Sequence, residues 1–295
     1  MNETLASSDF GFFRTDLACE SDRPCLSSAE DRHMAGSMPV TVTRRREADG
    51  GRTVTVACGY LTAYGEDVLP PLSRLVGEEL RSMAVDMLGR ELTPDCRILV
   101  AGLGNAHMTP DAVGPETVRR LTVTRHLRAY DEVLFASLGC CELSAIAPGV
   151  MGQTGMEAGE LVSFAAGLTG ADLVVAVDAL AARSCKRLAS TVQLSDQGIS
   201  PGAGIGNHRM ALNREAIGCP VMGVGVPTVV DSSTLVRDAL EQAGVSLTAL
   251  PSRLNEVLES GRSFIVSPRD SDEAVELTCR MLAEALELAF GVGAV

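Results

Sequence analysis

Three short apolar runs constrain this chain more than any other feature: RILVAGL at 97–103, ADLVVAVDAL at 171–180 and CPVMGVGVP at 219–227. Each has the length of a strand buried on both faces, and each falls far short of the ~20 apolar residues of a membrane span. Helical signatures lie between and after them. GMEAGELVSFAAGLTG at 155–170 closes on Gly170, and SSTLVRDALEQAG at 232–244 has a serine pair at its start and a glycine at its stop. Strand alternating with helix predicts an α/β fold with a doubly wound, mostly parallel sheet and helices on both faces.

The flanks extend this pattern. VTVTRRREADGGRTVTVACGYL at 40–61 has two alternating runs around Asp49-Gly50-Gly51, which predicts an N-terminal β-hairpin. Apolar positions from Leu72 to Leu88 recur at helical spacing. Further strands are expected at 133–138, 143–147, 190–196 and 263–268, with helices near 114–122 and 270–290. Residues 1–38 are rich in Ser, Asp, Glu and Gly and read as a mobile arm, apart from one island, FFRTDLACE at 12–20.

Composition narrows the function classes. Aromatic residues are 3% of the chain and Trp is absent, so the core must be built from Val, Leu, Ala, Met and Ile. The formal charge of −13 is wrong for a nucleic-acid binder, which needs a basic surface. Arg44-Arg45-Arg46 is too short to supply one and reads as a solvated turn. The nine cysteines are scattered without a CxxC, as expected of reduced thiols. The first residues have no basic-then-apolar signal pattern, so a soluble, intracellular protein is expected, with no membrane partner.

Two apolar runs lead to an aspartate. The first opens a loop that carries Asp111, and the second contains Asp178. Ligands of open α/β sheets bind beyond the carboxyl ends of the strands. Two neighbouring carboxylates there would share a proton: the charged one can take a proton from water, and the neutral one can protonate a leaving amine. Spacing alone leaves a plainer alternative open, in which Asp111 caps a helix and Asp178 is a strand-end residue held by loop amides.

The glycine pair Gly102 and Gly104 raises a nucleotide-binding alternative. Its third glycine is missing, because His107 stands there, and no acid follows at the ribose-binding distance. His33, His107, His126 and His208 have no metal-site spacing, and no metal or cofactor is expected. Cys140-Cys141, Ser184 with Lys186, and the glycine-rich SPGAGIGN at 200–207 match no catalytic motif, and Asp196 and Asp231 are reserve acids.

The strings RTDLACE, GLGNAHMTPDAVGP, LTVTRHL, IAPGVMGQTGME, VAVDALAARS, QLSDQGISPGAGIGN and GVPTVVD together resemble the germination protease family of spore-forming bacteria. The resemblance covers roughly residues 12–290. It implies a fold similar to that of hydrogenase-maturation proteases, and an unusual aspartic-type endopeptidase whose essential aspartates fall on Asp111 and Asp178. It implies small acid-soluble spore proteins as substrates, the forespore or spore-core cytoplasm as location, and a homo-oligomer, with a tetramer expected. It also implies a zymogen that removes its own N-terminal segment. TDLACE has the form of the substrates' cleavage string, so self-cleavage is expected between Asp16 and Leu17, dividing the chain into a propeptide, 1–16, and one protease domain, 17–295. A metal-dependent protease of the hydrogenase-maturation type is the alternative enzyme.

Overall fold

A computed structural model describes residues 15–20, 24–202, 209–245 and 264–292, together with 251, 253, 254 and 257. The strands are β1 (Cys25–Ala35), β2 (Met38–Glu47), β3 (Arg52–Ala57), β4 (Arg97–Gly102), β5 (Glu142–Ile146), β6 (Leu173–Ala182), β7 (Thr191–Ser195), β8 (Val221–Asp231) and β9 (Ile265–Val266). They form one sheet in the order β1-β2-β3-β7-β8-β6-β4-β5, with β9 on β8. Its centre, β8-β6-β4-β5, is parallel, and β7, β3, β2 and β1 add an antiparallel wing.

The helices are α1 (Leu69–Leu88), α2 (Val113–Arg120), α3 (Arg125–Tyr130), α4 (Glu132–Leu138), α5 (Met151–Thr154), α6 (Ala158–Thr169), α7 (Arg214–Ile217), α8 (Ser232–Gln242) and α9 (Ser271–Ala289). Successive strand residues point to opposite faces, and the core divides accordingly. Ile98, Val100, Val175 and Val177 pack with α1 and α9 through Leu72, Val76, Leu80, Leu282 and Leu286. Leu99, Ala101, Val174 and Ala176 pack on the other face with Val162 and Ala166 of α6 and Ile217 of α7. This is the doubly wound arrangement expected, with Gly170 ending α6 in the left-handed conformation at φ 60.

The expected hairpin is present: β2 and β3 pair around a turn in which the Asp49 carboxylate accepts from the Gly51 amide. Four expectations are corrected. Residues 133–138 are helix α4 and not a strand, because Asp131 caps its start, Gly139 ends it at φ 63, and only Phe135 of the run is buried. The cap of α8 is Asp231, whose carboxylate accepts from the Ser233 amide, and not a serine. The N-terminal arm is ordered where described: Cys25–Ala35 is the outer strand of the sheet, and Thr15–Glu20 is bound to the sheet's centre. Arg44, Arg45 and Arg46 lie inside β2; Arg44 reaches Glu79 of α1, and Arg45 donates to the Ala18 carbonyl at 3.0 Å.

Candidate functional site

The order in which strands are laid down reverses at β4. The chain crosses from β4 to β5 on one side and later returns to β6 on the other. Such a switch opens a crevice at the carboxyl ends of the two strands. A cleft of about 680 Å³ lies there, and Asp111 and Asp178 both line it.

Asp111 arrives on a short 3₁₀ turn, Thr109–Asp111, after the β4 loop. It does not cap α2, whose first turn receives no side-chain hydrogen bond. Its carboxylate turns back and accepts from the Asn105 amide at 2.8 Å. Gly104, at φ 111, makes this possible, since a Cβ there would collide with the Asp111 carbonyl. Two amides at the start of the loop are spent within the protein: Leu103 donates to the Val177 carbonyl and Asn105 to Asp111. A phosphate cradle would need those donors free. Thr228 fixes the loop from β8 by donating to the Pro110 carbonyl at 2.6 Å.

Asp178 lies within β6 and is 4% exposed. It is no strand-end residue held by loop amides; its carboxylate accepts from the next residue's own amide, Ala179, at 2.9 Å. Burial and then the nearby Asp111 carboxylate push Asp178 up to about 8; Asp16 adds to this, while the Ala179 amide and Arg209 oppose it. Asp111 is raised chiefly by burial, against the Asn105 amide and Arg209. Of the two carboxyls, the fully buried Asp178 is the one that favours keeping its proton, and the more accessible Asp111 the one that favours carrying the charge.

The cleft also holds part of the chain itself. β4 ends where Gly102 pairs with Val177, so β6 continues from Asp178 to Ala182 with β8 on one edge and without β4 on the other. The segment Thr15–Glu20 bonds to that other edge through Asp16 and the Glu20 carboxylate. The Asp16 amide donates to the Ala181 carbonyl at 3.0 Å, and the Asp16 carboxylate accepts from the Ala181 amide at 2.9 Å. Gln193 of β7 grips the next residues: its Nε2 donates to the Asp16 carbonyl at 3.0 Å, and its Oε1 accepts from the Ala18 amide at 2.5 Å. Leu17 is 1% exposed among Leu180, Ala182, Leu188 and Val230. Glu20 accepts from the Arg183 amide at 2.6 Å and from the Thr15 hydroxyl at 2.6 Å. The chain then crosses the face of the sheet from β6 towards β7 and β2, and Ala18–Glu20 closes in a 3₁₀ turn in which the Glu20 amide donates to the Leu17 carbonyl at 3.1 Å.

Of the residues singled out by sequence, Asp16, Asp111 and Asp178 meet in one cleft. Asp196 accepts from the Arg52 amide and Asp231 caps α8, so both have structural partners. His107 is an exposed loop residue, and His208 lies outside the described residues. Among the described residues no group of three His, Cys, Asp or Glu side chains could hold a metal ion, and no helix is long and apolar enough to cross a membrane. Sequence reasoning missed Gln193, Arg45 and Thr228. Gln193 of β7 and Arg45 of β2 touch the docked segment and Thr228 of β8 touches the Asp111 loop, contacts that sheet order and register create and the sequence does not display.

These features define an α/β protein whose acid-lined crevice at the strand ends receives Asp16 of its own N-terminal segment. The family model for germination protease matches residues 42–246. The germination protease of Clostridium perfringens is 35% identical across 81% of this chain and 78% of its own length. That of Caldanaerobacter subterraneus subsp. tengcongensis is 32% identical across 95% and 94%, and that of Halalkalibacterium halodurans 44% across 65% and 50%. The chain belongs to the germination protease family, and it is a peptidase.

Proposed function

We propose that this protein is an endopeptidase that begins the degradation of small acid-soluble spore proteins during germination, in the spore core. It is made as a zymogen and activates itself by cutting between Asp16 and Leu17, which separates a propeptide, 1–16, from a protease domain, 17–295. The observation that carries the reading is the seat of Thr15–Glu20: its acid, Asp16, lines the cleft of Asp111 and Asp178, and its backbone is bonded to Ala181 of β6 and to the Gln193 side chain.

The two carboxylates divide the work. Ionised Asp111 takes a proton from a water molecule, whose oxygen attacks the Asp16 carbonyl carbon. Neutral Asp178 then gives its proton to the departing Leu17 nitrogen. The C–N bond breaks, leaving a carboxyl group on residue 16 and an amine on residue 17. This needs one charged and one neutral carboxylate, the state that burial and mutual repulsion favour here. No metal or other cofactor enters these steps. The protein works as a homo-oligomer, for which a tetramer is the expected form.

The test is mass spectrometry of the purified chain incubated with a small acid-soluble spore protein, with and without chelator. Loss of residues 1–16 and cleavage of the spore protein after acidic residues, both insensitive to chelator, are expected. An active enzyme that keeps Met1, or activity that chelator abolishes and one metal restores, contradicts the reading.

A further inference from the structure

We infer that Gln193 is a catalytic residue: its side-chain N–H polarises the scissile carbonyl and holds the oxyanion formed from it. This rests on the proposed cut between Asp16 and Leu17, because the carbonyl that Gln193 touches is then the one attacked. The bond is 3.0 Å long.

The orientation of the amide is fixed by its partners. The Ala18 backbone N–H can only donate, so the oxygen of Gln193 faces it; the Asp16 carbonyl can only accept, so the NH₂ faces that. The amide therefore brackets Leu17, bonding the residues on either side of it. One end positions the peptide, and the other addresses the oxygen on which charge develops.

Register places Gln193 for this role. Asp178 pairs with Gly225, and Gly225 pairs with Gln193. Lateral neighbours in a sheet share a face, with strands about 4.8 Å apart. Asp178 and Gln193 thus stand on the same face, separated by one residue that has no side chain. A Cβ on Gly225 would strike Leu180, which fills this space and helps to bury Leu17. The donor sits on a strand paired on both sides, to β3 and β8, so it is preorganised.

The step balances without any proton from Gln193. The water oxygen bonds to the Asp16 carbonyl carbon, the π pair moves onto the carbonyl oxygen, and Gln193 Nε2 donates to that oxygen. When the tetrahedral centre collapses, the pair returns, the bond to Leu17 nitrogen breaks, and that nitrogen takes a proton from the neutral carboxyl.

Gln193→Glu separates catalysis from anchoring. A carboxylate still accepts from the Ala18 amide but offers no donor to the Asp16 carbonyl. Self-cleavage is followed in the full-length chain by mass spectrometry, and docking of the segment by alkylation of Cys19, which is partly buried. Asp178→Asn, uncut with its segment in place, is the docking reference. At pH 7 the expected outcome is a first-order cleavage rate about 10²–10³-fold below wild type, with Cys19 as protected as in Asp178→Asn. The deficit relative to wild type at the same pH should shrink as pH falls into the glutamate range, where a protonated glutamic acid again offers a donor. A rate within about threefold of wild type overturns the inference. So does a lost rate accompanied by an exposed Cys19, which would make Gln193 an anchor only. If the wild-type chain never cuts between Asp16 and Leu17, the underlying proposal falls and takes this one with it.

Discussion

Replacing Asp178 with Asn should make the protein more stable at neutral pH while removing its activity. Asp178 is buried and keeps its proton up to about pH 8, whereas an unfolded chain releases it near the ordinary aspartate value, 3.8. Between those limits the unfolded state binds fewer protons than the native state, so stability falls as pH rises. The loss is about 1.4 kcal/mol per pH unit for one fully displaced proton, and by pH 7 it reaches several kcal/mol. Asn has the same shape, still accepts from the Ala179 amide and carries no titrating proton. With an unfolding entropy of about 2.1 cal/mol/K per residue, 3 kcal/mol on a chain of 295 residues corresponds to about 5 °C. Calorimetric melts of uncut wild type and Asp178→Asn at pH 4.5, 6 and 7.5 supply the comparison, in which the other carboxylates cancel. The Tm of the variant should gain on that of wild type by several degrees as pH rises. A difference between the two that stays constant with pH, or a variant that loses ground, would refute the argument that burial holds Asp178 neutral.

Other consequences follow from the same geometry. Cleavage should show a bell-shaped pH profile whose alkaline limb falls near pH 8, as Asp178 loses its proton, and whose acid limb marks protonation of Asp111; a rate still rising at pH 9 would count against it. Gly104→Ala forces a side chain into a left-handed residue and against the Asp111 carbonyl. It should cost about 1–3 kcal/mol in denaturant melts and most of the activity, and a fully active, equally stable variant would show that the loop tolerates another path. Leu17→Ala empties the pocket beneath the docked segment, at a cost of about 2–5 kcal/mol where the surroundings cannot collapse. Cys19 should then alkylate faster while Tm changes little, because the loss falls on docking; unchanged labelling would place the holding force elsewhere.

The sequence carried the parallel centre of the fold plainly. The runs at β4, β6 and β8 are apolar on both faces because helices cover both, and that double burial erases alternation. Local chemistry decided the segments that were misread. The apolar run at 133–138 is bounded by Asp131 and Gly139, a helix cap and a helix stop, and those two residues outweigh it. The arm looked unstructured because its composition is polar, yet β1 needs no apolar face: ten of its eleven residues are exposed, and the ladder to β2 supplies its bonds. Asp111 and Asp178 were visible because one sits on the loop that follows an apolar run and the other lies inside such a run. Their shared cleft depends on β4 and β6 being neighbours, a long-range fact that spacing does not contain. Gln193 was invisible for the same reason, since its meaning comes from register across β8 and from a segment 175 residues away in the chain.

The most direct test of the account compares wild type, Asp111→Asn and Asp178→Asn for cleavage of a small acid-soluble spore protein, read by intact mass. Each variant should retain its fold by circular dichroism, keep residues 1–16, and leave the spore protein whole, while wild type cuts both after an acid. Full cleavage by either folded variant would contradict the claim that the two carboxylates perform the hydrolysis together.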